Sequence, residues 1–424
     1  MNRNRLEPLG VPGSGYDYDD QGAAKDRKGE PTAVDRGLLR ALTKDLDESR
    51  VRVILWDEPK PQAGGDVVTV QIMDRRALWQ LVRYPNLHFG DLYSTGRIVV
   101  HGDLLTLLDE AYRYLYEKQK AAKWLSRFQR LATAPSLSDS RRNIHHHYDI
   151  GNEFYTLWLD REALQYTCAY YPVESMTIEA AQQAKMHHVC RKLRLEAGDT
   201  VAEAGSGWGG FALFMAKNYG AKVRSFNISK EQIAYAREWA KHEDLTHLVE
   251  FVEDDFRNIS GQYDVFVSIG MLEHAGAGNY RQLGELIHRS ITPNGRGLIH
   301  SIGRDRPGRL NPWIDKRIFP GAYPPTLREM MDIFEPNGLS VLDVENIRLH
   351  YAKTLEAWLE RYEENVDKVR AMFDETFVRG WRLYLAGSIM AFLRGNLQLF
   401  QVLFARSGMN QLPSSRAHMY PYGE

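Results

Sequence analysis

Chemistry in this 424-residue chain would have to start from a few short stretches whose residue types are unusual for ordinary packing. The run EAGSGWGG, residues 203–210, places glycines at 205, 207, 209 and 210. Glycine lets a backbone turn tightly and approach a ligand that a Cβ would repel, so this run reads as a ligand-binding turn between a strand and a helix. Gly205, Gly207 and Gly210 satisfy the GxGxxG spacing of dinucleotide sites, and the lack of a following GK[ST] excludes a P-loop. The next strand, however, ends in FNISKEQ instead of the acid that would hold a dinucleotide ribose. Asn227, Ser229 and Gln232 are neutral hydrogen-bonding groups. The strand after that ends in EDDF, where Asp254 and Asp255 can accept from an adenine amino group and Phe256 can lie against the purine. This order of groups, with no cradle for pyrophosphate, suits S-adenosylmethionine.

A second chemistry is suggested by LQYTCAYYP, residues 164–172, which sets one thiol among tyrosines. Aromatic faces stabilise a cation without bonding to it, by roughly 0.5–2 kcal/mol per ring. Tyr166, Tyr170, Tyr171 and the distant Trp313 are the candidates, although aromatic rings serve equally well as core. Cys168 and Cys190 are the chain's two cysteines, too few for a disulfide framework and without CxxC spacing for zinc, which fits a reducing cytoplasmic setting. The run His145–His147 is not read as a metal site, because adjacent histidines project differently and no second ligand cluster has suitable spacing. Cys190 and His274 read as structural.

These residues need a scaffold. From about Asp199, TVAEAG, AKVRSFNI, VEFVEDD, YDVFVSIG and RGLIHSIG read as strands separated by helical runs such as SKEQIAYAREWAKHE. Repeated βα units imply an α/β fold with a mostly parallel sheet and ligands beyond the strands' C-terminal ends. KTLEAWLERYEENVDKVRAMFDE and VRGWRLYLAGSIMAFLRG then read as two long amphipathic helices, and LQLFQVLFAR as a last strand. Upstream, residues 1–35 read as a disordered leader, 36–132 as a small α+β domain, 133–143 as a linker and 144–424 as the catalytic domain. With 43% hydrophobic and 26% charged residues and a net charge of −1, the composition is that of a globular protein without the basic footprint of a nucleic-acid binder. No stretch approaches the ~18–20 apolar residues of a bilayer span. The basic amphipathic segment 118–130 reads as a solvated helix face or as a surface for anionic lipid.

The motifs HHYDIGNEFY, QYTCAYYP, AQQAKMHHVCRKL, GSGWGG, NISKEQ, DDFRNI, SIGMLEHAG, HSIGR, NPWIDKRIFPGAYPPTLRE and HYAKTLEAWLERY resemble, in order, those of the cyclopropane fatty acid synthase family. The resemblance runs from about residue 140 to the C-terminus. A weaker one, over residues 89–109, points to the N-terminal lipid-binding domain of longer bacterial members. The resemblance implies a seven-stranded class I methyltransferase fold and transfer of a one-carbon unit from S-adenosylmethionine to the double bond of an unsaturated phospholipid acyl chain. The product is a cyclopropane or, by loss of a different proton, a methylene- or methyl-branched chain. It further implies bound bicarbonate as the base, with ligands at Cys168, Glu273, His300, the backbone around Ile302, and Tyr351. Tyr148, Tyr166, Thr167, Glu203, Gly205 and Gly207 then join Asn227, Ser229, Gln232, Asp254, Asp255 and Phe256 around the cofactor. Glu203 and Ser206 stand where the family usually has Asp and Cys. A homodimer, peripheral on the inner face of the cell membrane, is expected, with 118–130 and the apolar loop 319–325 as docking and tunnel elements. A catalytically silent lipid or cofactor sensor is the rival from another class.

Overall fold

In a computed structural model of the chain, residues 29–44, 46, 49–61, 67–121 and 150–420 are described, with side chains over 115–121 excepted. Tyr148, the histidine run, residues 1–28 of the expected leader and the expected linker lie outside the described residues. Of the basic segment 118–130 only the helical backbone to Ala121 is described.

The described chain forms two compact units that do not follow the expected boundary. The first joins the described residues of 1–128 to Asn311–Ile318 and Trp358–Arg394, both expected in the catalytic domain. The reason is packing. Helix Glu375–Leu393 buries Arg379 and Arg382, and Arg379 donates to the carbonyls of Tyr93 (2.6 Å) and Ile98 (3.0 Å). Buried guanidinium groups need such partners, so this helix belongs with the elements that supply them. Trp313 follows, because Gly90 leaves room for its indole; a Cβ there would lie 2.4 Å from the ring. The unit's sheet pairs strand β1 (Val51–Ile54) parallel to β2 (Val68–Ile72), and β2 antiparallel to β3 (Ile98–His101). Its first helix, Ala33–Thr43, opens with a capping box between Thr32 and Asp35, so ordered structure begins inside the expected leader. The first of the two expected long helices divides at Asn365 into Arg348–Glu364 and Val366–Met372.

The second unit holds a seven-stranded sheet. Strands β4 (Thr200–Ala204), β5 (Lys222–Asn227), β6 (Val249–Glu253), β7 (Tyr263–Ile269) and β8 (Ile291–Arg304) are parallel, as expected, and β9 (Leu339–Asn346) and β10 (Leu397–Arg406) complete it in the order β6-β5-β4-β7-β8-β10-β9. The last strand β10 is not at an edge. It lies between β8 and β9, antiparallel to both, and β9 is a strand that the motif reading passes over. Apolar residues of β4, β5, β6 and β7 build a core on each face of the sheet, against helices Ile178–Lys192 and Gly210–Tyr219 on one side and Tyr280–Ser290 and Leu327–Phe334 on the other. Chain order reverses between β4 and β7. At such a switch point the loops leaving neighbouring strands part and leave a crevice.

Candidate active site

The crevice is a pocket lined by Gln165, Tyr166, Thr167, Glu203, Gly205, Gly207, Trp208, Asn227, Gln232, Asp254, Asp255, Phe256, Met271 and His274, among others. Its floor is the turn after β4. Gly205 and Ser206 both donate their N–H to the carbonyl of Phe226, and Gly205 has φ +99°, a conformation that glycine alone adopts readily. Beyond β5, Asn227 donates to the carbonyl of Gly207 (3.3 Å) and to Gln232 Oε1 (2.9 Å), binding the ends of two strands together. Gln232 Nε2 is buried without a hydrogen-bond partner among the described residues. A buried amide donor left unmade costs about 1–3 kcal/mol, so this one is suited to a ligand acceptor. Ser229, expected at the cofactor, is placed elsewhere: it is buried as the N-cap of helix Lys230–His242, where its hydroxyl accepts from the N–H of Gln232.

At the end of β6 the two acids differ. Asp255 is bound by the guanidinium of Arg257 (2.8 Å), whereas Asp254 accepts from the Asp255 N–H and from Asn258. Both line the pocket beside Phe256. On the opposite wall, Thr167 Oγ1 accepts from Lys185 (3.0 Å), which also donates to Gln165 Oε1. Lys185 is fully buried, and burial pulls its pKa down to about 8. The motif reading passes over it because a lysine within a helix ordinarily reads as solvated. Trp208 and Met271 were missed likewise, one inside the glycine run and the other after β7. His274, expected to be structural, lines the pocket, and burial lowers its pKa to about 4, so it is neutral.

The catalytic candidates fall into two groups. Glu273 follows β7 and is 6% exposed; its Oε1 accepts from the N–H of Ile302 on β8 (2.6 Å), and the N–H of Tyr323, in the apolar loop 319–325, donates to its carbonyl (2.8 Å). His300 precedes Ile302 by two residues on the same strand, and the N–H of Gly270 donates to its carbonyl (2.9 Å). Glu273 Oε2 and His300 Nε2 are both buried without a partner among the described residues. The second group is Cys168 and Tyr351. The thiol donates to the Ala169 carbonyl (3.0 Å), and the N–H of Ala169 donates to Thr354, one turn from Tyr351 on helix Arg348–Glu364. Burial pushes the Cys168 pKa far up, which keeps it a neutral thiol. The groups approach one another where Thr167 Cγ2 lies 3.2 Å from the Cβ position of Gly270. Two of the other aromatic candidates make ring contacts of their own. Tyr170 stacks on His188 (4.3 Å), Tyr171 carries Lys353 over its ring (4.5 Å), and Trp313 belongs to the first unit.

Burial raises the carboxyl pKa of both Glu203 and Glu273 from 4.5 to about 7. A raised pKa means that the folded state binds the proton more tightly. Each group's contribution to stability is therefore full below pH 4.5 and is lost as pH rises to about 7. In Glu273→Gln the decline in thermal stability across that window is expected to be shallower than in the parent protein. An unchanged slope in thermal unfolding would show that Glu273 does not titrate there.

Comparison with known proteins agrees with this geometry. Residues 136–402 match the family described as mycolic acid cyclopropane synthetase. A probable fatty acid methyltransferase of Pseudomonas putida is 35% identical over 392 residues, 87% of this chain and 96% of the relative. The cyclopropane-fatty-acyl-phospholipid synthase of Escherichia coli strain K12 is 37% identical over 271 residues, 64% of this chain and 69% of the relative. Among solved structures, the mycolic acid cyclopropane synthase CmaA1 complexed with SAH and CTAB superposes with a TM-score of 0.59 at 27% identity, covering 62% of this chain and 97% of that one. Among the described residues no helix is long and apolar enough to cross a membrane, and no three metal-ligating side chains gather.

Proposed function

This chain belongs to the mycolic acid cyclopropane synthetase family of S-adenosylmethionine-dependent methyltransferases, and from that premise we propose that it closes a cyclopropane ring across the double bond of an unsaturated phospholipid acyl chain. S-adenosylmethionine, when bound, supplies the electrophilic methyl group. Gln232 and Asn227 would hold its ribose side, Asp254 and Phe256 its adenine, and Tyr166, Thr167 and Trp208 the opposite wall. Overall the alkene gains CH₂, S-adenosylhomocysteine leaves, and one proton must be removed from the transferred carbon as the second C–C bond closes.

The observation that carries this reading is the pair of unpartnered buried atoms, Glu273 Oε2 and His300 Nε2. An unpaired buried polar group is expensive, and two of them, one on a carboxyl held by the Ile302 N–H and one two residues away on the same strand, argue for a small polar guest. The donor set fits an oxyanion: the Cys168 thiol, the His300 imidazole and the Tyr351 phenol can donate, and the Glu273 carboxyl can share a proton. Bicarbonate, when bound, would supply a small proton acceptor beside the Glu273 carboxyl. His300 is pushed well below its usual pKa by burial, and Glu273, at about 7, can relay a proton without carrying a permanent charge. The neutral thiol of Cys168 matters too, because a thiolate beside a sulfonium would itself be methylated. The protein would reach its lipid as a peripheral, membrane-associated enzyme.

A second reading is favoured by the Pseudomonas putida relative, named as a fatty acid methyltransferase: a 1,2-hydride shift to the cation followed by loss of a proton from the new methyl group would leave a methylene branch. Proton NMR of the product lipid separates them. High-field ring protons are expected; vinylidene protons in their place would overturn the cyclopropane reading.

A further inference from the structure

Gln401 is a buried polar residue that the scheme above leaves unused. It sits on β10 directly opposite His300 on β8 and is wholly shielded from solvent. Its amide nitrogen lies 3.2 Å from His300 Nδ1. With the amide nitrogen turned toward the ring, Nδ1 accepts and the ring proton sits on Nε2; the rival acceptor is the amide's own Oε1, which has no partner among the described residues. Burial keeps the imidazole uncharged, with Lys185 and Lys192 adding to the effect. On the other side of Gln401 in the sheet register stands Glu345 of β9, another acceptor. Its carboxylate is already bound by His188 (2.7 Å) and Lys192 (2.6 Å). The sheet therefore offers His300 a donor at Nδ1, while Nε2, like Glu273 Oε2, is buried without a partner among the described residues.

We propose that Gln401 is a positioning residue that fixes His300 as the neutral Nε2–H tautomer, making the imidazole a hydrogen-bond donor to a small oxyanion beside Glu273. This rests on the reading of that space as the proton-removing site. It also assigns roles within it: His300 holds the oxyanion and does not compete for the substrate proton, which passes to the oxyanion and Glu273. The tautomer at a functional histidine is set by what its other nitrogen bonds, and here that partner is a side chain 101 residues away on a neighbouring strand.

The test uses the full chain with ¹⁵N-labelled histidine imidazoles, and the His300 signals are identified by their loss in His300→Gln. Long-range ¹H–¹⁵N spectra of the ligand-free protein are expected to show His300 protonated at Nε2 and bare at Nδ1. In Gln401→Glu the new carboxylate accepts from Nδ1–H, so the proton should move to Nδ1. Turnover is expected to fall by roughly 100-fold, the scale of a lost acid/base arrangement, while S-adenosylmethionine affinity is unchanged. Finding His300 protonated at Nδ1 in the parent protein would overturn the proposal, and that reading needs the parent and His300→Gln but not a folded Gln401→Glu. Full turnover in a Gln401→Glu protein whose tautomer has switched would overturn it as well. Because the tautomer is read without lipid, a wrong choice of lipid substrate would leave this result standing.

Discussion

Replacing Glu273 with glutamine is expected to cut turnover at least ~10-fold, and toward the ~100-fold that a lost acid/base group commonly costs, while S-adenosylmethionine still binds. The substitution is nearly isosteric. Glutamine Oε1 can still accept from the N–H of Ile302, the bond that now fixes the carboxyl at 2.6 Å, so the fold around β8 should persist. What disappears is the ability of the second oxygen to take and release a proton. The cofactor pocket contacts the neighbouring His274 and Met271 but not Glu273, so affinity and turnover should separate. Isothermal titration with S-adenosylmethionine and a turnover assay on the same preparation check this. Near-parental rates would remove Glu273 from the proton path.

Gly210→Ala is expected to be the most disruptive small substitution in the glycine run. A Cβ at this position would lie 2.0 Å from the backbone oxygen of Ala163, far inside contact distance. Ala163 cannot easily retreat. Its N–H and that of Gln165 both donate to the buried carboxylate of Asp160 (2.7 Å each), and Leu164 between them is already held at φ +47°. Overpacking against clamped backbone of this type costs about 3 kcal/mol. For a domain of this size that corresponds to a melting temperature lower by roughly 6–12 °C. Calorimetry checks it; a variant that melts with the parent would mean that the segment 160–165 is free to move. The close approach also explains why this glycine is needed. It lets the segment that carries Tyr166 and Thr167 lie against the start of helix Gly210–Tyr219 and form one wall of the pocket.

The cofactor pocket was the most legible part of the chain. Its residues lie at the ends of successive strands, so local patterns such as EAGSGWGG, FNISKEQ and EDDF carry both the element and the side chains it presents. Ser229 shows the limit of that logic, since a serine before a helix serves equally as ligand or cap, and here it caps. The unit boundary was not legible. Helix Glu375–Leu393 has an apolar face that would suit either unit, and only the buried Arg379 and Arg382, with their carbonyl and carboxylate partners, decide where it packs. Gln401 was hidden for a similar reason. A glutamine in the apolar run LQLFQVLFAR carries no sign of its partner, which depends on β10 entering between β8 and β9. Sequence order alone does not reveal that insertion. Lys185 is a further case, a charged residue whose burial follows from contacts with Gln165 and Thr167 about twenty residues earlier.

We propose that a small anion held between Glu273 and His300 removes the proton that closes a ring on a phospholipid chain. The most direct test is the proton NMR spectrum of unsaturated phospholipid incubated with the protein and S-adenosylmethionine, in carbon-dioxide-free buffer and again after bicarbonate is restored. High-field ring protons that accumulate strongly only with bicarbonate, one ring for each S-adenosylhomocysteine released, are the predicted result. Ring formation at the same rate in both buffers, or S-adenosylhomocysteine released with no ring protons at all, would contradict it.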